Sequence, residues 1–296
     1  MKEKLRTDSP LFSWFSLGFL ALIWGSSFIL MKRGLEAYSA TEVGALRVVI
    51  SATVLLPLAL RNHKEYLKKY WKHFLFFAAL TNLGPSILFA TAQTRISSSL
   101  AGVLNSMTPI FTFSIGVMFY GAPFKLNQAV GLILGIIGSG VLILFSGGEL
   151  GDVNFFAFLV VLATIFYGTG SNFLSKHFKG IHPVALTSLA FMTILPVALI
   201  ILISSGFITT ITTHPKALAS FGYIAILAVV GTAMSLILFN RLIQTTSPVF
   251  ASTVTYLIPI VAVIWGLLDG ETLGIWHLLG MVLIISGVYF INRKGS

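Results

Sequence analysis

The chain has 296 residues, of which 56% are hydrophobic and 9% charged, and its formal net charge is +10. A soluble domain carries about 25% charged residues, so this composition excludes a water-soluble fold and turns most of the outer surface towards lipid. The basic residues sit in short loops between apolar runs rather than along one soluble face, which excludes a nucleic-acid partner, and the absence of cysteine excludes disulfides and thiol-based metal or redox chemistry.

A helix that crosses a bilayer needs about 20 mainly apolar residues. Ten such runs follow one another at 12–32, 40–60, 73–94, 98–119, 126–146, 153–174, 183–204, 218–241, 247–268 and 274–292. Lys2, Lys4 and Arg6 precede the first run, but the apolar stretch 11–31 has the length of a full span, not of a signal-peptide core. Barrel strands alternate polarity over about ten residues; these runs are continuously apolar for longer, which predicts helices. The fold class is therefore an all-α integral membrane protein with ten transmembrane helices. The segment 63–72, with Tyr66, Tyr70 and Trp71 among its lysines, reads either as a short amphipathic helix on the anionic leaflet or as a solvated loop.

Lys and Arg in the linkers set the orientation. Lys2, Lys4, Arg6, the 61–72 cluster, Lys125, Lys176, Lys179, Arg241, Arg293 and Lys294 fall on one side, against Lys32, Arg33, Arg95 and Lys216 on the other. The richer side is cytoplasmic, which puts both termini in the cytoplasm of a multi-pass inner (plasma) membrane protein.

The second half resembles the first. RISSSLAGVLNSMTPIFTF from Arg95 aligns with TTSPVFASTVTYLIPIVAV from Thr245, pairing Ala101 with Ala251, Asn105 with Thr255 and Pro109 with Pro259. Leu88-Phe89 aligns with Leu238-Phe239, Gly131 with Gly280, Gly138 with Gly287 and, more weakly, Trp24-Gly25 with Tyr167-Gly168. The units are 1–150 and 151–296, with five spans each. Five is odd, so the units enter the membrane from opposite sides as an inverted repeat. Secondary transporters are commonly built this way, with the solute site near the midplane between the repeats.

Polar side chains in hydrocarbon are costly unless they face protein or water, so they mark interior faces. The expected solute-binding set is Trp24, Ser27, Asn82, Ser86, Asn105, Tyr167, Asn172, Ser235, Thr255 and Tyr256. These residues place spans 1, 3, 4, 6, 8 and 9 around a cavity and spans 5 and 10 outside it. Single Ser and Thr hydroxyls equally serve helix–helix hydrogen bonds. Pro109 and Pro259 each remove a helical donor and read as gating hinges or as static kinks. The glycines at 131, 135, 138 and 140 suit close helix packing and a dimer contact, leaving the chain a monomer or a weak homodimer. Arg47 is the one charge well inside a span; it either pairs with Glu42 or holds an anionic group of a solute.

All nine acids lie in loops or first turns, so no mid-membrane carboxylate offers the relay that an ion-coupled pump uses. No histidine has a partner at metal-ligand spacing, no phosphate-binding loop occurs, and GTGSN at 168–172 does not match a nucleophile elbow. Neither a metal nor a cofactor is expected, and enzymatic chemistry, including lipid modification, lacks a clustered set of His, Asp or Glu.

WGSSF at 24–28, the Arg47 region, SSSLAGVLNSMTPIF at 97–111, its copy ending in LIPIV, and the two five-span halves together resemble the drug/metabolite transporter superfamily, in particular its ten-helix EamA-type members. The resemblance spans essentially the whole chain. It implies two inverted five-helix repeats around a central cavity and export of small metabolites, commonly amino acids or related apolar compounds, by alternating access. The small four-helix exporters of that superfamily use a glutamate in the first helix; the matching stretch here, LIWGSSF, has no acid. Exchange of a drug or nucleobase for protons is thus the alternative reading, and facilitated transport the first.

Overall fold

A computed structural model describes residues 10–123, 126–145 and 152–292. Both chain ends lie outside the described residues. The described residues form helices joined by short turns, and no strand occurs among them. The elements are α1 (Pro10–Gly34), α2 (Ala40–Ala78), a π-helical turn (Ala79–Leu83), α3 (Gly84–Ala92), α4 (Ser98–Asn105), α5 (Thr108–Tyr120) and α6 (Leu126–Phe145). There follow α7 (Asp152–His177), α8 (Pro183–Ser204), α9 (Phe207–Thr213), α10 (Ala217–Ala228), a second π-helical turn (Val229–Met234), α11 (Ser235–Thr245), α12 (Pro248–Ser252), a 3₁₀ turn (Thr253–Tyr256), α13 (Ile258–Leu268) and α14 (Ile275–Asn292). Eight stretches are long and apolar enough to cross a bilayer, and two shorter apolar stretches, Ala129–Leu142 and Ile275–Phe290, lie in α6 and α14.

The polarity is inverted relative to a soluble protein. Phe19, Leu22, Ile133, Ile136, Ile200, Ile203 and Leu268 stand exposed, while Ser27, Asn82, Asn105, Thr112, Ser171, Thr187, Thr232 and Asn240 are buried. Lipid tolerates the first group, and helical backbone leaves no polar main chain for the tails to meet.

The segment 63–72 forms neither a separate interfacial helix nor a loop. One helix, α2, runs through it from Ala40 to Ala78, with Pro57 inside the helix leaving one ladder bond unmade. The axis nevertheless reverses, because a Cβ on Gly44 would sit 2.7 Å from the side chain of Ile87. A straight helix would hold those residues about 65 Å apart at 1.5 Å per residue. Beyond the bend Tyr66, Leu67 and Tyr70 pack on the core, which is why this stretch does not lie free on a leaflet. A short helix, α9, occupies the linker after α8, with Phe207 against the Tyr38 ring at 5.9 Å.

α6 and α14 pack against each other through glycine. A Cβ on Gly138 would stand 2.9 Å from the Gly280 carbonyl, and one on Gly287 would stand 2.5 Å from the Gly131 carbonyl. The expected close-packing role of Gly131 and Gly138 is thus within the chain, whereas Gly140 has nothing within 4 Å.

Candidate functional site

A central cavity, with about 1030 Å³ of empty space including its open mouth, lies among α1, α2, α3, α4, α5, α7, α8, α11, α12, α13, the 3₁₀ turn and both π turns. Of the ten residues picked from sequence, Trp24, Ser27, Asn82, Asn105, Tyr167 and Thr255 line it. Four do not. Asn172, Ser235 and Tyr256 each stand one residue beside a lining position, namely Ser171, Leu236 and Thr255, and one residue is a turn of about 100°. Asn172 instead donates Nδ2 to the Thr112 and Gly168 carbonyls at 2.8 and 2.9 Å. The Ser235 hydroxyl donates to the Val230 carbonyl at 2.7 Å, inside the second π turn. Ser86 is buried away from the cavity, and Tyr256 packs on the apolar core.

Spans 2 and 7 also reach the cavity, through Arg47 and through Thr187 with Ala190, contrary to the six-span expectation. The Thr187 hydroxyl accepts from Asn240 Nδ2 at 2.8 Å, and both residues line the space. These are polar residues within apolar runs, the same signal that singled out Asn105. The α6 and α14 helices contribute no lining residue, as spans 5 and 10 were expected not to.

Arg47 and Glu42 do not pair. Five residues on one helix are about 140° apart around the axis. Glu42 accepts from the Ser39 backbone N–H at 2.7 Å, completing a capping box, and from the Thr210 hydroxyl at 2.8 Å. Arg47 turns the other way and donates Nε to Thr232 Oγ1 at 2.7 Å. No acidic side chain lines the cavity.

Aromatic rings form two walls. Trp24 meets Phe239 edge-on with centroids 4.9 Å apart, and Tyr167 stacks on Phe89 at 6.1 Å. The Trp24 indole N–H donates to the Gly231 carbonyl at 2.9 Å. Gly231 belongs to the second π turn, whose altered ladder redirects carbonyls such as this one. The two π turns begin at Ala79 and Val229, the same separation as Phe89 and Phe239.

Pro109 and Pro259 do not sit inside an unbroken ladder. Each is the second residue of a helix that restarts, α5 after Ser106-Met107 and α13 after the 3₁₀ turn. There the missing N–H has no intrahelical partner to lose. The two breaks touch, since the Ser106 hydroxyl donates to the Thr255 carbonyl at 3.0 Å.

One end of the molecule is closed by charge. Lys32 Nζ lies 2.6 Å from Asp269 Oδ2 and 2.9 Å from Glu271 Oε1, and Arg33 bonds Asp269 as well. Glu271 also accepts from the backbone N–H and hydroxyl groups of Ser98 and Ser99 at 2.7–3.0 Å, at the start of α4. Burial pushes the Glu271 carboxyl pKa up, but the bonds from Ser99, Lys32 and Ser98 outweigh it and bring it down to about 2. Glu36, between Lys216 at 2.7 Å and Arg33, is likewise held below its ordinary value, first by the Lys216 hydrogen bond. At the other end the contacts are aromatic, with Phe74 stacked on Phe178 at 4.8 Å. Among the described residues no group of three His, Asp or Glu could hold a metal ion.

A family model for EamA-like transporters matches residues 12–144 and again residues 154–293. The chain is similar to the uncharacterized inner membrane transporter YedA of Escherichia coli K12, 28% identical over 98% of this chain and 95% of that one. It is similar to the uncharacterized transporter YvbV of Bacillus subtilis, 24% identical over 100% and 95%. A probable amino-acid metabolite efflux pump of Salmonella typhimurium is 27% identical over 94% and 95%. A protein of known crystal structure shares the fold, with a TM-score of 0.64 at 12% identity over 96% of this chain and 97% of that one. A membrane protein built of apolar helices around a polar, aromatic-walled cavity, and matched twice by that model, is what this chain is: it belongs to the EamA-like transporter family.

Proposed function

We propose that the protein is a secondary transporter that exports small metabolites, amino acids or related apolar compounds, by alternating access between two inverted five-helix repeats. The observation that carries this reading is an exchange of contacts. If Trp24 is equivalent to Tyr167 and Phe89 to Phe239, the pair Trp24–Phe239 becomes Tyr167–Phe89, and both pairs exist. In the same way Gly138 on Gly280 becomes Gly287 on Gly131. A two-fold relation between halves 1–150 and 151–296 accounts for both, and with five spans per half that relation is an inverted one. The name of the Salmonella typhimurium relative supports an amino-acid metabolite as cargo.

In this reading the ten helices leave both termini in the cytoplasm. The Lys32–Asp269–Glu271 end then faces outward, and its ion pairs join the first repeat to the second. Breaking them lets the repeats rock about the restarts at Pro109 and Pro259, so that the cavity opens to the outside. Solute meets Trp24, Ser27, Asn82, Asn105, Tyr167 and Thr255 in either orientation. No carboxylate lines the cavity, which favours movement down a gradient over exchange for protons.

Reconstituted vesicles test the reading. Radiolabelled phenylalanine or leucine loaded inside should equilibrate faster than in empty vesicles. Uphill movement driven by an imposed pH gradient alone contradicts the uncoupled mechanism. Failure of any amino acid, keto acid or nucleobase to cross contradicts the transporter itself.

A further inference from the structure

Resting on the carrier reading, we infer that Arg47 is the anchor for a carboxylate: the solute bears one carboxylate on an apolar body, and Asn82 offers that body a hydrogen-bond acceptor. A guanidinium stays protonated in any protein environment, and a charge within a membrane bundle is costly without a partner. Arg47 lies in the second span and lines the cavity. It spends only Nε on protein, to the Thr232 hydroxyl. Its two terminal nitrogens have no hydrogen-bond partner among the described residues. The nearest acid in sequence, Glu42, has its oxygens taken by Ser39 and Thr210, and no acid lines the cavity.

With Nε fixed, the terminal N–H groups are held in one plane, which is the geometry that takes a carboxylate in two parallel bonds. A single cation with no lysine beside it matches a single negative charge. Six rings, Trp24, Phe28, Phe77, Phe89, Tyr167 and Phe239, line the cavity among uncharged polar and aliphatic side chains, and they suit an apolar or aromatic body. Asn82 is buried in the first π turn and lines the cavity, and its amide oxygen has no partner. An unsatisfied buried acceptor costs free energy until a donor arrives, and an ammonium, hydroxyl or amide N–H of the solute supplies one. A purely cationic solute would meet Arg47 with no compensating charge.

The test uses the purified full-length chain and three probes of one shape: phenylalanine, phenylalaninamide and phenethylamine. Phenylalanine should raise the melting temperature by a few degrees at millimolar concentration, because a ligand of the folded state stabilises it, and the two probes without a carboxylate should not. Arg47→Gln should weaken phenylalanine binding by about ten- to a hundredfold, Arg47→Lys by less, and Asn82→Leu should lower affinity for phenylalanine more than for phenylacetate. Equal stabilisation by the amide or the amine overturns the inference, as does undiminished phenylalanine binding by Arg47→Gln. A lack of response to phenylalanine, phenylacetate and 4-methylpentanoate alike also overturns it. The wild-type comparison of acid with amide decides the matter even if Arg47→Gln does not fold. The carrier reading fails separately: carboxylates that bind but never cross a vesicle wall refute it and leave Arg47 as an anion site. Carboxylates carried as well by Arg47→Gln as by the wild type, or neutral and cationic solutes carried by the wild type as well as carboxylates, refute the anchor and leave the carrier.

Discussion

Trp24 stands edge-on to Phe239 at 4.9 Å while its indole N–H holds the carbonyl of Gly231. One side chain of α1 thus touches two places in the second half, the ring of α11 and the second π turn. Such a residue couples the cavity wall to the contact between the halves. Trp24→Ala removes a ring contact and a hydrogen bond, each worth about 0.5–1.5 kcal/mol, so flux in vesicles should fall by about tenfold or more. Trp24→Phe keeps a ring and loses only the N–H, and should stay within about tenfold of wild type.

The α6–α14 seam gives a stability prediction with an internal control. Gly287→Ala would place a Cβ 2.5 Å from the Gly131 carbonyl and 2.8 Å from the Gly135 nitrogen, both backbone atoms that yield little. Overpacking of this kind costs about 1–3 kcal/mol, so the melting temperature in detergent should drop by several degrees. Gly140→Ala meets nothing within 4 Å and should leave the melting temperature unchanged or slightly higher, since alanine favours helix.

Glu271 sets a pH dependence. Its carboxyl sits at about 2 in the folded chain against an ordinary 4.5. A depressed carboxyl contributes stability that is fully present above its unfolded value and is lost as pH falls through the folded one. The melting temperature should therefore decline between about pH 4.5 and about pH 2. Glu271→Gln should flatten that decline and cost about 1–3 kcal/mol at neutral pH, because four donors on Ser98 and Ser99 lose a charged acceptor.

Pro109 and Pro259 stand where no helical hydrogen bond is missing. Alanine at either site should change stability by less than about 1 kcal/mol. If the restarts serve as hinges, the double variant Pro109→Ala with Pro259→Ala should lengthen both helices backwards and slow flux several-fold at unchanged folding. Circular dichroism and vesicle counterflow, measured on the same preparation, separate the two effects.

Much of this was legible in the sequence because lipid makes polarity a strict signal. An amide such as Asn82 or Asn105 inside an apolar run has few places to go, and both line the cavity. Asn172, Ser235 and Tyr256 carry the same chemistry but point one residue's rotation away, and composition does not report rotation. Proximity along the chain leaves Arg47 either a pair with Glu42 or a hold on an anionic group, and only the helical rotation of five residues separates the two. The continuity of α2 through 61–72 and the two π turns have no periodicity of their own in the sequence, although Pro57 marks α2 as a helix that can kink.

Alternating access requires motion between the halves, and the ion-paired end is where that motion must break contacts. The chain has no native cysteine, so Lys32→Cys with Asp269→Cys gives a single pair of thiols across that end, one on each half. Joining them with a short cleavable bis-thiosulfonate linker should abolish solute flux in vesicles, and reduction of the linker should restore it. Flux that continues at the unlinked rate while the linker is in place would contradict alternating access between the two halves.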